Sequence, residues 1–345
     1  MKTYEIILNE ERNVKLTAWI QSVEGQFHKI TKRPAIVILP GGGYSMCSDR
    51  EAEVVAFAYA KAGYQTFILR YSVGPHNTWP NPLDDYEQAM ELILNKEDEW
   101  NILPDKIAVI GFSAGGHLAA CAATVSKFKP SAAILGYAVL GQETADMCQP
   151  GMPYPISTVD KDTCPCFLFS TRDDNIVNVQ DTVDFQKALI ENAIRFESHI
   201  YSFGPHGFST GEPNLNNSKL CNRISHWVQD SIEWLSEILG ELTRDGMTEP
   251  ICSGKVNGNH EKVLSVHCTI AHLKRQQGPA QELLTSLLQK ADAVLRSITG
   301  KDSGSNSTPI LKLVTIGNFM EMIGIPAEEI TKLDEALRQI PNENH

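Results

Sequence analysis

The stretch Ile107-Ala-Val-Ile-Gly-Phe-Ser-Ala-Gly-Gly-His117 determines how the rest of the chain is interpreted. Its first four residues form a continuous apolar run, which is typical of a strand buried on both faces of a sheet. A G-x-S-x-G sequence follows at 111–115, and the Ala- and Leu-rich residues 117–125 predict a helix. The five-residue pattern alone also fits an ordinary glycine turn. The flanking strand and helix favour a nucleophile elbow, in which Ser113 stands on a strained turn with its hydroxyl clear of the sheet edge.

The composition is that of a globular protein, and 345 residues are enough for two domains. A formal net charge of −12 argues against a nucleic-acid partner and against an anionic membrane surface. The first ten residues contain no apolar signal-peptide core, and no stretch approaches the length needed to span a bilayer. A cytoplasmic location with no membrane partner is therefore the expectation.

The eight cysteines follow no disulfide framework, which predicts reduced thiols. A group of histidines and cysteines in the last third of the chain invites comparison with zinc sites: Cys252, His260, His267, Cys268 and His272. Their spacing matches no zinc-finger pattern, so we predict neither a metal nor another cofactor.

Strands alternate with helices through the first two thirds of the chain. Strands are predicted at 4–9, 14–20, 35–39, 65–70, 107–110, 132–137, 166–171 and 197–203. Helices are predicted at 50–62, 83–96, 117–125, 181–191 and 218–239, and a loop at 138–163. This alternation predicts an α/β fold with a doubly wound, mostly parallel sheet. Ligands bind such sheets at the carboxyl ends of the strands.

A glycine run, Pro40-Gly-Gly-Gly-Tyr44, follows the second fully apolar strand. Consecutive glycines allow backbone N–H groups to turn inward and form a nest for an anion. A phosphate-binding loop is excluded because no Gly-Lys-Ser/Thr follows. The N–H of Gly42 or Gly43, together with that of Ala114 at the start of the helix, is instead predicted to form an oxyanion hole.

Two further strand ends carry candidate catalytic side chains. Asp173 and Asp174 follow the strand at 166–171, and His206 lies between glycines after the strand at 197–203. Ser113 as nucleophile, His206 as base and one aspartate as the group that orients the base would complete a triad. The spacing to Val177 favours Asp174, with Asp173 as the alternative acid.

Six short motifs together resemble the bacterial carbohydrate-esterase-like branch of the α/β-hydrolases, which includes acetyl-xylan and feruloyl esterase relatives. They are Pro40–Tyr44, Asp49–Glu51, Leu69–Ser72, Gly111–His117, Thr171–Asp174 and Gly204–Gly207. The resemblance covers roughly residues 30–240 and implies a serine hydrolase for short acyl esters, with acetylated carbohydrates as candidate substrates. Asn178 departs from the pattern, since relatives tend to have Pro there.

The composition changes near residue 240. We predict a catalytic domain at 1–242, a linker at 243–261 and a small helical domain of unassigned role at 262–345, whose helices are a candidate surface for homo-oligomers. Two alternatives stay open at this point. The same triad suits an arylformamidase-like amidase or an exopeptidase, and a hydrolase scaffold can also serve as a non-catalytic binding protein.

Overall fold

An eight-stranded sheet forms the centre of the first part of the chain. The structure is a computed structural model, and it describes residues 1–192, 194–216, 219–252, 257–260, 263–279, 281–287 and 314–342. The strands are β1 Lys2–Asn9, β2 Val14–Ile20, β3 Arg33–Leu39, β4 Gln65–Arg70, β5 Ile102–Phe112, β6 Ala132–Gly136, β7 Cys166–Thr171 and β8 Phe196–Tyr201. They lie in the order β1-β2-β4-β3-β5-β6-β7-β8. Only the β1–β2 and β2–β4 pairs of this sheet are antiparallel, so the predicted mostly parallel sheet is confirmed.

Helices cover both faces of this sheet. They are α1 Glu53–Lys61, α2 Asn81–Asn95, α3 Ala114–Thr124, α4 Gln142–Cys148, α5 Val179–Glu191 and α6 His226–Leu239. Residues of α2, α3 and α5 pack on one face, and residues of α1 and α6 pack on the other. Along β3, Ala35, Val37 and Leu39 enter the first layer while Ile36 and Ile38 enter the second. Because successive side chains of a strand point to opposite faces, a strand buried on both sides has to be apolar throughout.

The segment at 138–163, predicted as a loop, contains α4 and a short 3₁₀ turn at Pro155–Thr158. A side chain of another helix, Asp181 of α5, fixes the start of α4. Its carboxylate accepts hydrogen bonds from the N–H groups of Leu140 and Gly141 and from the Thr144 hydroxyl. A contact between two elements leaves no local period in the sequence. The closing helix also differs from the prediction, since it begins at His226 rather than at Ser218.

The chain divides into two units, Met1–Ser253 and Gly254–His345. Residues 242–247, where the sequence predicts the change from catalytic domain to linker, form a short hairpin of Leu242–Thr243 and Gly246–Met247 that belongs to the first unit. Glycine and polar residues are as typical of a tight turn as of a linker, and composition therefore does not distinguish the two.

The second unit contains short helical segments around a small apolar cluster. They are Ile270–Leu273, residues 281–287, Ile316–Met322 and Ala327–Leu337. The sequence has helical periodicity over 261–297 and predicts a helix at 309–324. Both stretches contain extended residues where they are described, because Thr269 and Thr315 pair with each other and each caps the helix that follows it. The sequence also predicts a flexible loop at 300–308, which lies outside the described residues. Within the described ranges, no helix combines the length and the apolarity needed to cross a bilayer.

Candidate active site

Ser113 stands on a sharp turn between β5 and α3. Its backbone φ is +53°, a conformation that costs free energy for any residue with a side chain. The glycines on either side make room for this turn. A Cβ at Gly111 would lie 2.0 Å from the Gly115 carbonyl oxygen, and one at Gly115 would lie 2.1 Å from the Leu39 carbonyl oxygen. The G-x-S-x-G spacing therefore reflects the close packing of β5, α3 and the end of β3.

Ser113, His206 and Asp174 come together at the carboxyl edge of the sheet. The Ser113 hydroxyl lies 2.8 Å from Nε2 of His206, and Nδ1 of the same ring lies 2.8 Å from the Asp174 carboxylate. The main-chain N–H of His206 donates to the Asn175 side chain at 3.0 Å, which fixes the histidine loop against the loop that carries the acid. These contacts form the unbroken chain of hydrogen bonds that a serine nucleophile and its base require.

The two neighbouring aspartates have different environments. The Asp174 side chain is 1% exposed, and its second carboxylate oxygen accepts the N–H groups of Ile176 and Val177 at 2.8 and 2.9 Å. The Asp173 side chain is 48% exposed and accepts the N–H of Gly204 at 2.9 Å. The structure thus brings Asp174 to His206, while Asp173 braces the start of the histidine loop.

The glycine loop after β3 approaches the same edge. Gly42 has a φ of +132°, and a Cβ there would lie 2.2 Å from the Met46 carbonyl oxygen. The N–H groups of Gly42, Gly43 and Ala114 take part in none of the hydrogen bonds found within the described part of the chain. A helix leaves its first N–H groups without internal partners, so the Ala114 N–H at the start of α3 is available to a ligand.

A buried network that the sequence did not predict in full connects the glycine loop with the histidine loop. Glu51 accepts the N–H of Gly41 at 2.8 Å and the hydroxyl proton of Tyr137 at 2.6 Å. The Tyr137 oxygen in turn accepts the N–H of Ser209, and its ring centre lies 5.0 Å from that of His206. Burial raises the pKa of the Glu51 carboxyl. In the sequence, Glu51 opens a helix close behind the glycine loop, a position that predicts a side chain that caps or orients this loop. Tyr137 was missed, although its position directly after β6 was a signal.

His117 follows the elbow at the start of a helix, where the sequence favours a structural or supporting role over that of a base. It is fully buried behind the elbow. Its Nε2 lies 2.7 Å from the Pro153 carbonyl oxygen, which can only accept, so Nε2 carries the proton. Nδ1 then accepts the hydroxyl proton of Tyr44 at 2.7 Å. The ring therefore holds the glycine loop, through Tyr44, to the first turn of α3. Burial lowers the pKa of His117 to about 4.

This burial predicts a specific loss of stability in mild acid. The unfolded chain binds a proton at His117 below its ordinary pKa of 6.5, whereas the folded chain stays neutral down to about 4. The contribution of neutral His117 to the free energy of unfolding is therefore complete above about pH 6.5 and disappears toward pH 4. At pH 5 about 2 kcal/mol of it is lost. Urea unfolding followed by tryptophan fluorescence reports on the first unit, which contains all five tryptophans.

The control for this prediction is the same pH series on His117→Gln, which keeps every other titratable group. Between pH 7 and pH 5, the free energy of unfolding should fall by about 2 kcal/mol more in the wild type than in the variant. An equal decrease in the free energy of unfolding in the two proteins would show that His117 does not take up a proton on unfolding.

The structure suggests no metal centre among the residues it describes. In those ranges, no three His, Cys, Asp or Glu side chains are grouped as a metal would require. The eight cysteines are free thiols. His76, whose place in a predicted loop would allow contact with a substrate, is exposed in a 3₁₀ turn. The catalytic candidates at this edge are Ser113, His206 and Asp174, together with the surrounding backbone amides.

Comparison with known proteins places the chain in a family. The BD-FAE family matches residues 26–133. MGS-M1, an α/β-hydrolase enzyme from a Medee basin deep-sea metagenome library, is 38% identical in sequence, and its structure superimposes with a TM-score of 0.64 over 98% of that chain and 69% of this one. This chain belongs to the α/β-hydrolases. The fold and the resemblance predicted from the sequence are thereby confirmed.

Two other relatives place this α/β-hydrolase near the carbohydrate esterases. An acetylxylan esterase of Xylanibacter ruminicola is 28% identical over 217 residues, which are 56% of this chain and 45% of that protein. The acetyl ester-xyloside bifunctional hydrolase of Caldicellulosiruptor lactoaceticus is 26% identical, with a TM-score of 0.59 over 96% of that chain and 68% of this one. The chain spans between a third and a half of the length of the first curated relatives it matches. Its α/β-hydrolase unit is of the carboxylic-ester-hydrolase type.

Proposed function

We propose that the protein is a serine esterase that hydrolyses short-chain acyl esters through a Ser113–His206–Asp174 triad and an acyl-enzyme. The observation that carries the proposal is the His206 ring, which contacts the Ser113 hydroxyl and the Asp174 carboxylate at 2.8 Å each. The positive φ of Ser113, a strained conformation for a residue with a side chain, supports the same role, since such strain is concentrated at functional sites.

In the first half of the reaction, Oγ of Ser113 attacks the carbonyl carbon of the ester while Nε2 of His206 takes the hydroxyl proton. Nδ1–H of His206 donates to Asp174, which holds the ring in the required tautomer and stabilises the imidazolium. The carbonyl oxygen becomes an oxyanion. His206 then gives its proton to the leaving alkoxide, the ester C–O bond breaks, and the alcohol departs from an acyl-Ser113.

In the second half, water attacks the acyl carbon and gives a proton to His206. The second tetrahedral intermediate collapses, the bond to Oγ breaks, and His206 returns the proton to Ser113. The products are one alcohol and one carboxylic acid, and the enzyme is restored. No oxidant, reductant or cofactor is needed for either half of this cycle.

The oxyanion of both intermediates is proposed to lie between the Ala114 N–H and that of Gly42 or Gly43. These amides are already fixed, by α3 and by the loop that Glu51 and Tyr44 anchor. Donors fixed before the reaction stabilise developing charge without reorganisation, and one such donor contributes about 3 kcal/mol to lowering the barrier.

The proposed substrate class is an acetyl or similarly short ester of a carbohydrate. Relatives named as an acetylxylan esterase and as an acetyl ester-xyloside bifunctional hydrolase support it. The test is hydrolysis of p-nitrophenyl acetate, butyrate and octanoate, followed by acetate release from acetylated xylo-oligosaccharides and by hydrolysis of acetanilide. Turnover of the short esters together with acetate release supports the proposal. Turnover of the anilide but not of the esters would favour the amidase alternative.

We also predict that the first unit alone is sufficient for turnover. Every residue assigned a role above lies in Met1–Ser253. A protein ending at Ser253 should therefore hydrolyse p-nitrophenyl acetate with a kcat/KM within about twofold of the full chain, since a unit with its own core can fold alone. The mass of both proteins in solution tests whether the second unit mediates homo-oligomers. Equal association states would reject that role.

A further inference from the structure

A groove lined by both polar and apolar side chains lies beside the loop that carries Asp174. It encloses about 510 Å³ between the start of α5 and the segment that contains α4. This volume falls in the range of sites that hold small ligands. Three of its lining side chains are apolar yet exposed: Met147, Tyr154 and Ile176, with Tyr154 37% exposed.

The two walls are held together before any ligand arrives. The Asp181 carboxylate on α5 accepts the N–H of Gly141 at 2.9 Å and the Thr144 hydroxyl proton at 2.5 Å, both from the opposite wall. On its own wall, Asn178 caps α5 by accepting the N–H of Gln180 through its side-chain oxygen. The groove is therefore built by contacts between its two walls and is not a gap between unattached loops.

The chemistry of the walls suits a neutral, hydroxyl-rich ligand. Because the Asn178 oxygen is used as a cap, its side-chain NH₂ is left to donate. One Asp184 oxygen accepts from Gln180, which leaves the other oxygen to accept a hydroxyl proton. Tyr154 adds an exposed ring against which the C–H face of a sugar can pack. No Lys or Arg lines the groove, and three acidic side chains do, so its charge disfavours an anion.

Both walls continue directly from the proposed catalytic residues. The N–H of Ile176, a lining residue, donates to the Asp174 carboxylate at 2.8 Å. On the other side, the N–H of Val139 donates to the Ser113 carbonyl oxygen at 3.2 Å, two residues before the lining residue Gly141. The two segments that form the groove are therefore tied directly to Asp174 and Ser113, at which the ester is proposed to react.

We propose that the groove between α4 and α5 is a subsite for the carbohydrate backbone of an acylated oligosaccharide. The inference rests on the proposed esterase function and adds to it the residues that would hold the carbohydrate part of the substrate. The protein would then distinguish an acylated oligosaccharide from a small aryl ester by the sugar units beyond the scissile ester, which the aryl ester lacks. The groove residues should contribute to turnover of the oligosaccharide and not to turnover of the aryl ester.

The test compares two substrates on four proteins. The substrates are acetylated xylotetraose and p-nitrophenyl acetate. The proteins are the wild type, Tyr154→Ala, Asp184→Ala and the control Phe57→Ala, which removes an exposed aromatic side chain from α1, outside the groove. Each groove variant should lower kcat/KM for the oligosaccharide about tenfold, mainly through KM, since one hydrogen bond or ring contact accounts for about that factor. Turnover of p-nitrophenyl acetate should stay within about twofold in all four.

The alternative outcomes separate the subsite from the esterase itself. Equal losses on both substrates, or no loss on the oligosaccharide, would overturn the subsite. A wild type that hydrolyses p-nitrophenyl acetate but not the acetylated oligosaccharide would also overturn it, and the esterase proposal would stand. A wild type inactive on both substrates would reject the proposed function.

Discussion

Ser113→Ala should lower kcat for p-nitrophenyl acetate by a factor on the order of 10⁴ to 10⁶. The substitution removes the only oxygen that His206 contacts through Nε2 in the described structure, and it leaves the imidazole without a nucleophile to activate. The fold should be unaffected, since the Ser113 hydroxyl has no other hydrogen-bond partner within the described ranges. Alanine at this φ is no worse than serine, so the thermal midpoint should not fall.

A second serine, Ser131, provides a matched control for the Ser113→Ala substitution. Ser131 lies before β6, and its hydroxyl donates to the Asp105 carbonyl oxygen at 2.7 Å, far along the sheet from the catalytic edge. Ser131→Ala should retain the turnover of the wild type. If Ser113→Ala retained it as well, the elbow would be a structural turn, and the non-catalytic binding protein would become the better account.

Asp174→Asn should lower kcat by a factor of about 10⁴. An amide can present its NH₂ to Nδ1 of His206, and the ring then carries its proton on Nε2, where it can no longer accept the Ser113 proton. The main-chain N–H groups of Ile176 and Val177 can still donate to the Asn oxygen, so the loop should keep its conformation. The loss should appear in kcat with little change in the thermal midpoint.

Asp173→Asn is the matched control, since it makes the same chemical change one residue earlier. The Asn oxygen can still accept the N–H of Gly204, and the expected change in kcat is below about tenfold. A large loss in Asp173→Asn with little loss in Asp174→Asn would reverse the assignment of the acid and contradict the contacts described above.

The catalytic edge was largely predictable because its signals are local. A buried strand, a glycine turn and a helix around Ser113 specify the elbow in eleven consecutive residues. The carboxyl ends of parallel strands share one edge, which brought Asp174 and His206 to Ser113 without any knowledge of distances. The choice between Asp173 and Asp174 needed coordinates, because one residue of register decides which carboxylate faces the ring.

The groove and the partners within the buried network were not predictable, because they depend on contacts between residues far apart in the chain. Asp181 reads as an ordinary acid in the first turn of a helix, and only its contacts with Gly141 and Thr144 show that it holds α4. Tyr137 likewise completes an apolar strand in the sequence, while its hydroxyl connects Glu51 with the histidine loop. Both side chains act on partners at least 37 residues away in the chain, and such pairs leave no periodic pattern.

The most direct measurement is active-site labelling with a fluorophosphonate, followed by mass spectrometry of the digested protein. The account predicts one phosphonyl group per chain, on the peptide that contains Ser113, with loss of esterase activity in proportion to labelling. Heat-denatured protein and His206→Ala should not be labelled, since the serine is activated by its base. Labelling of another residue, or none in the folded wild type, would contradict the assignment of Ser113 as the nucleophile.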